Sequence, residues 1–286
     1  MNNKIIDVIE DSFSCFDTAR KHFDNLIYKK LKKKNVINKY KNSPKYLNIG
    51  GGRFVREHWR VLDFDSEWYN YNNIFIDFNV NLESTKKWQI KDNSYDLIFS
   101  SHTFEHLTDK AVFHALNESY RILKKGGAIR INVPDVDVAF LHYYNKNILW
   151  FIDKKPEELY SYRHGQKSFI MEECLLSFFA THLTNTKART NDEHCVDFEK
   201  VRYDINNLNK KDFLNKYSKM IKNSWQKEKP GLHRNWFNFS KLERMLKNAK
   251  FNEIIERKCC QSSKTEFCFK EFSDRPGRSI FVEARK

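Results

Sequence analysis

Residues 46–52 read Tyr46-Leu47-Asn48-Ile49-Gly50-Gly51-Gly52, an apolar run that breaks into three consecutive glycines. Such a run suits a buried strand. Glycine is the residue that tolerates positive φ and lets the backbone come close to a bound molecule. A second run, Val61-Leu62-Asp63, ends in an acid, whose carboxylate can accept hydrogen bonds from hydroxyl groups. A third, Asp96-Leu97-Ile98-Phe99-Ser100-Ser101-His102, ends in polar residues. Strands that finish in a tight turn, an acid and a polar pair line a ligand crevice at the carboxyl edge of a sheet.

Outward from this stretch, short β-rich runs are expected at 46–49, 60–63, 74–77, 95–100 and 128–133. Val112, Phe113, Leu116, Tyr120 and Leu123 mark one face of a helix, with Gly126 or Gly127 placed to cap it in the left-handed conformation. Only a few residues separate Gly52 from Val61, so the first crossover helix must be short. Strand-like segments return at 252–258 and 279–284, after a helix over Ser240 to Ala249 that Ser240 can cap and whose Leu242, Met245 and Leu246 face inward. Apolar strands alternating with helices predict an α/β fold, a doubly wound, mostly parallel seven-stranded sheet covered on both faces. Ile5, Ile9, Phe13, Phe16, Phe23, Ile27 and Leu31 recur at helical spacing, which predicts an N-terminal helical segment over 1–44. The core then covers 45–141 and a helical insertion or lid 142–232, where Phe169 to Leu183 has a strong apolar face. Residues 233–286 complete the sheet.

Lys and Arg number 51 against 37 Asp and Glu, a net charge of +14 that favours anionic partners. Part of the excess is local, in Lys29, Lys30, Lys32, Lys33 and Lys34, with Lys39, Lys41 and Lys45 just beyond. The six cysteines form no CxxC pair, and Asp7, Glu10 and Asp11 interrupt the first apolar pattern, unlike a secretory leader. A reduced, cytoplasmic protein is expected. No run approaches the roughly 18 apolar residues of a membrane span.

Taken in order, YLNIGGG, WRVLD, KDNSYDLIFSSHTFEHL, ESYRILKKGGAIRINVPD and SIFVEARK resemble the class I S-adenosylmethionine-dependent methyltransferases, specifically their type-11-like group. The resemblance implies a Rossmann-like fold and S-adenosyl-L-methionine as cofactor. It places the methionine part of that molecule at Gly50, Gly51 and Gly52, its amino acid end near Asn48, and its ribose on Asp63, with Asp65 as the alternative. By position the adenine edge falls on Asn81 and Leu82, and Ser101 and His102 lie at the switch point of the sheet. Three departures weaken the pattern: Asn48 stands where an acid is usual, Arg53 and Phe54 follow Gly52 without a further glycine, and the first helix is short.

Methyl transfer from a sulfonium is an in-line displacement that needs an unprotonated lone pair on the acceptor, and a neutral hydroxyl therefore needs a base. His102 is the candidate by position. His106 follows Glu105, and the two are read as a fixed hydrogen-bonded pair. Asp135, which is either a substrate ligand or a turn residue, and Tyr143, Tyr144, His233 and Arg234 are candidates for holding the acceptor. Arg234 in particular suits a phosphate. His182, His194 and Cys195 form no recognised metal-ligand spacing, and no metal is expected. The VPD turn and the C-terminal ending also resemble enzymes of bacterial capsule and surface-polysaccharide biosynthesis, including those that methylate sugars or the O-methyl phosphoramidate group. The expected activity is O-methylation of a small, anionic acceptor. An RNA or DNA methyltransferase is the alternative that the charge suggests. Against it, the position after the fourth strand reads Ser100-Ser101-His102-Thr103, not the Asn-or-Asp-Pro-Pro-aromatic motif of nucleobase amino-methylating enzymes. A methyltransferase-like binding protein without catalysis is the third reading.

Overall fold

The computed structural model describes residues 45–52, 54, 56, 58–65, 76–151, 170–184 and 194–286. The expected N-terminal helix, the lysine run up to Lys41 and the start of the expected strand at 74–77 lie outside the described residues. The apolar runs pair as strands: β1 (Tyr46–Ile49), β2 (Trp59–Asp63), β3 (Phe78–Asn79), β4 (Tyr95–Ser101), β5 (Leu123–Pro134), β6 (Asn252–Arg257) and β7 (Ser279–Arg285). They form one seven-stranded sheet in the order β3-β2-β1-β4-β5-β7-β6. β1 pairs in parallel with β2 and β4, β2 with β3, and β4 with β5, whereas β6 and β7 pair antiparallel. This is the mostly parallel α/β sheet expected from the alternating pattern. Its order reverses between β1 and β4, the kind of switch point at which doubly wound sheets bind ligands.

Continuous apolar runs give strands buried on both faces, as Leu47, Ile49, Leu62 and Ile98 show. On one face Trp59, Leu97, Phe99 and Ala128 pack with Phe267 and Phe272. Arg130, on β5, is also fully buried. It donates to Glu283 Oε1 at 2.6 Å, to the Phe272 and Gln261 carbonyls at 2.9 and 3.0 Å, and to Ser273 Oγ at 3.0 Å.

Two local expectations are corrected. The third strand forms at Phe78–Asn79, later than 74–77, because Asp77 Oδ2 takes the Val61 N–H that a strand partner would otherwise take. Helix α1 (Asp109–Ile122) needs no glycine cap, since the N–H groups of Asn93 and Ser94 bond the Arg121 and Ile122 carbonyls and Lys286 Nζ reaches Arg121 and Leu123. Gly126 instead sits at the start of β5 with φ +75°, donating to the Lys286 carbonyl. In the described part of 50–58, Phe54 N–H donates to the Gly51 carbonyl in a turn.

The chain forms two compact units, the first made of the described residues up to Ser101 with Phe113–Asn132 and Glu243–Lys286, the second of His102–Val112 and Val133–Leu242. The second holds α2 (Val136–Tyr144), α3 (Ile148–Phe151), α4 (Met171–Ser177), α5 (Phe198–Asn207), α6 (Lys210–Met220) and α7 (Asn223–Glu228). Asp135, Asp197 and Asn209 cap α2, α5 and α6 through side-chain oxygens. Phe140, Trp150, Phe179, Phe213 and Trp236 belong to its apolar core. The last helix, α8 (Phe239–Asn248), starts one residue before Ser240. Its cap is Asn238, whose Oδ1 accepts from Lys241 N–H at 2.9 Å. Ser240 therefore lies inside the first turn. Among the described residues, no helix is long and apolar enough to cross a membrane.

Candidate active site

In the first unit the glycine turn is built as its sequence implies. Gly50 and Gly52 take φ of +66° and +50°, in the left-handed region that favours glycine. Gly51 is required for a different reason: a Cβ there would meet Val61 Cγ1 at 2.9 Å and the Asn48 side chain at 3.2 Å. Asp63 clamps the turn to the end of β2, its Oδ2 accepting from Gly52 N–H and its Oδ1 from Phe64 N–H, both at 2.7 Å. Each carboxylate oxygen has two acceptor sites, so both keep capacity for a ligand hydroxyl. Burial raises the pKa of Asp63 from its ordinary value, and these two N–H donors pull against it without cancelling it.

Asn48 lies against the inside of the turn, 3% exposed, and its Oδ1 has no hydrogen-bond partner among the described residues. A buried acceptor in that state calls for a donor. A Cβ on Gly52 would meet nothing within 4 Å. An orphaned amide oxygen, open space at a left-handed glycine and an acid with spare acceptor capacity fit a nucleoside that carries an ammonium or amide tail. Asn81 sits in a turn, its Oδ1 accepting from Glu83 N–H, while Leu82 is buried. Asp65 is exposed, and its N–H donates to Asn79 Oδ1. Ser101, at the carboxyl end of β4, receives the Asn132 amide at 3.4 Å. Asn132 is fully buried on β5 with an orphaned Oδ1, a residue the apolar reading of that strand passes over.

In the second unit three histidines converge on one carboxylate. His102 follows β4 directly and holds φ +50°, unusual for a residue with a Cβ and a form of backbone strain that clusters at functional sites. Its Nδ1 lies 3.0 Å from Glu105 Oε1. Glu105 belongs to the short 3-10 turn Phe104–His106 and is fully buried. His106 Nε2 is 3.9 Å and His233 Nε2 4.0 Å from the same Oε1. The expected Glu105–His106 pair is therefore a Glu105–His102 pair, because His106 turns its Nδ1 to the Leu232 carbonyl at 3.0 Å. His233 Nδ1 bonds the Phe178 carbonyl at 2.8 Å. Carbonyls only accept, so Nδ1 carries a proton in both rings, and in the neutral form Nε2 carries the lone pair.

The Glu105 carbonyl receives the N–H groups of Arg234 and Asn235, which fastens 233–235 to this turn although more than a hundred residues intervene. Burial acts first on Glu105 and opposes its charge, but the His102 hydrogen bond and the three nearby imidazoles prevail and hold its pKa near about 2. Burial, with His106 beside it, pushes His233 down to about 3, so that ring is neutral. The remaining candidates are held by the protein itself. Asp135 Oδ1 accepts from Asp137 N–H as the cap of α2, the turn role weighed for it. Tyr143 donates to Glu172 Oε1, Tyr144 is exposed, and Arg234 donates to Asn223 Oδ1. His182 bonds Gln226, His194 packs against Trp225 with the rings tilted, and Cys195 Sγ approaches the Val196 carbonyl, so these three do not converge.

Residues 60–131, from β2 through most of β5, match the family model described as a methyltransferase domain. No curated protein sequence matches the chain. Among solved structures it is similar to a methyltransferase from Archaeoglobus fulgidus, at 13% identity and a TM-score of 0.42, over 92% of this chain and 94% of the other. It is also similar to one from Mesorhizobium loti, at 15% and 0.40 over 85% and 91%. A third, an O-methyltransferase family protein from Burkholderia thailandensis, matches at 11% and 0.41 over 97% and 62%. None of these likenesses bears on what the chain acts on.

Proposed function

We propose that the chain O-methylates a small, anionic acceptor carrying a hydroxyl, and that His102 removes the proton. The observation that carries this reading is the His102–Glu105 pair. With Nδ1–H directed to Glu105, the ring's lone pair is on Nε2. The carboxylate fixes the tautomer and stabilises the imidazolium that forms as the proton arrives. His102 keeps 14% of its side chain exposed and Glu105 1%, which suits the first to meet an acceptor and the second to orient it. When bound, S-adenosylmethionine supplies an electrophilic methyl group on a sulfonium. Asn48, the glycine turn and Asp63 are the residues that would hold it. The net charge of +14 favours an acceptor bearing phosphate or a related anion, such as a phosphorylated sugar, a nucleotide sugar or a phosphoramidate. A role in surface-polysaccharide synthesis is supported by the sequence resemblance alone, so the acceptor is specified here by its chemistry.

The test is methyl transfer to a panel of phosphorylated sugars, nucleotide sugars and phosphoramidates by the wild type and His102→Asn, since Asn tolerates the left-handed backbone at 102. With a hydroxyl acceptor, the variant should lose about a hundred- to ten-thousand-fold in kcat while S-adenosylhomocysteine binding persists. Equal rates would remove His102 as the base and leave an acceptor oxygen that is already anionic.

A further inference from the structure

We propose that Glu105, His106 and His233 bind one divalent first-row transition ion, of the zinc, cobalt, iron or manganese class. Each of the three offers one ligand atom, and these atoms all lie within 4.8 Å of one another. Glu105 Oε1 is 3.9 Å from His106 Nε2 and 4.0 Å from His233 Nε2. Ligand atoms on a tetrahedral zinc are about 3.3 Å apart, so the two carboxylate–imidazole distances need to contract by roughly 0.6–0.7 Å to close around an ion.

Two further features point to a cation. Each ring donates Nδ1–H to a backbone carbonyl, of Leu232 for His106 and of Phe178 for His233. That arrangement sets the tautomer with Nε2 as the ligand atom, and it is how proteins orient metal-binding imidazoles. Glu105 Oε2 is buried with no partner among the described residues. A buried carboxylate oxygen in that state calls for a donor or a cation. The other oxygen, Oε1, keeps its hydrogen bond from His102, so binding an ion leaves the His102–Glu105 pair in place.

Two imidazoles and one carboxylate suit borderline transition ions better than magnesium or calcium, which prefer all-oxygen shells. Three protein ligands leave at least one position open. If the methyl-transfer reading above holds, that position takes an oxygen of the acceptor; ion binding itself does not depend on that reading.

The test titrates the chelator-treated full chain with cobalt chloride and follows the visible ligand-field absorption, then measures zinc content after gel filtration in a parallel sample. About one ion per chain is expected, together with a raised Tm, since a ligand that binds only the folded state stabilises it. His106→Gln and His233→Gln should each weaken binding at least tenfold, whereas Cys259→Ser and Cys260→Ser should leave it unchanged. The glutamine side chain retains an N–H donor for the backbone carbonyl, and circular dichroism reports folding of each variant. No cobalt absorption and no retained zinc in the wild type would overturn the proposal whether or not the variants fold. Undiminished binding in both folded histidine variants would overturn it as well. A protein that binds the ion yet methylates nothing would count against the functional reading and leave the metal site standing.

Discussion

The Nδ1 atom of His102 sits 3.0 Å from Oε1 of Glu105, three residues further along the first turn after β4. One partner is left-handed in backbone and partly exposed, the other fully buried and ionised down to a pH of about 2. Glu105→Gln keeps an oxygen for the Nδ1–H and removes the charge that stabilises the imidazolium. Its kcat for a hydroxyl acceptor should fall by about ten- to a hundredfold, with S-adenosylhomocysteine affinity within about twofold of wild type. A fall in cofactor affinity with unchanged kcat would show that Glu105 supports binding and not the base.

Arg130 and Glu283 form a buried ion pair within the sheet, at 2.6 Å with the arginine side chain fully inaccessible, and Arg257 reaches the other Glu283 oxygen at 3.2 Å. Glu283→Ala strands the guanidinium charge and should cost about 3–5 kcal/mol of unfolding free energy. Arg130→Met with Glu283→Met, an apolar pair of related volume, should recover a large part of that loss. Urea denaturation of the three proteins decides it; an alanine variant within about 0.5 kcal/mol of wild type would mean the pair is not desolvated in solution.

Gly51 and Val61 touch across β1 and β2 in a way that leaves no room for a methyl group. Gly51→Ala should lower stability by about 1–3 kcal/mol through overpacking. Combining it with Val61→Ala should give a total cost below the sum of the two single costs, because the second change vacates the space the first requires. Strict additivity in thermal melts would place the strain elsewhere in the turn.

His182 is 2% exposed and its Nε2 faces Gln226 Oε1 at 2.9 Å. The Gln226 amide donates to the Pro230 and Leu232 carbonyls, so its oxygen is the atom left to accept from the ring. Burial pushes the His182 pKa down to about 4. The unfolded ring titrates near 6.5, so between about 6.5 and about 4 the unfolded state binds the extra proton. Folding stability is thus lost as the pH falls through that window, by about 3 kcal/mol from this group. His182→Leu should flatten the unfolding free energy between pH 7 and pH 4 by about that amount, although it lowers stability at pH 7 by stranding Gln226. A slope equal to that of wild type would exclude His182 as its source.

How far the sequence carries depends on whether a residue's partners are near it in the chain. β1, β2 and β4 are legible because a strand buried on both faces must be apolar throughout, and the glycines at 50 and 52 announce their own φ. β3 is displaced because Asp77, a side chain, substitutes for a ladder bond, which periodicity does not register. The end of α1 is misread for a similar reason: its carbonyls are satisfied by Lys286 and by residues 93–94, so a nearby glycine is not needed as a cap. The histidine cluster is half visible. His102, Glu105 and His106 stand together in FSSHTFEHL, but His233 joins them through the Arg234 and Asn235 hydrogen bonds to Glu105 and the His106 bond to the Leu232 carbonyl, and no local pattern encodes those contacts. Tyr143, Asp135 and Arg234 stand out as polar groups in sequence. The structure gives their side chains internal partners.

The central claim is that the glycine turn and Asp63 hold S-adenosylmethionine, and calorimetric titration with S-adenosylhomocysteine tests it most directly. Saturable binding to the wild type, weakened tenfold or more by Asp63→Ala, about 1.4 kcal/mol, is the expected result. No binding to a folded wild-type chain, or equal binding by the variant, would contradict it.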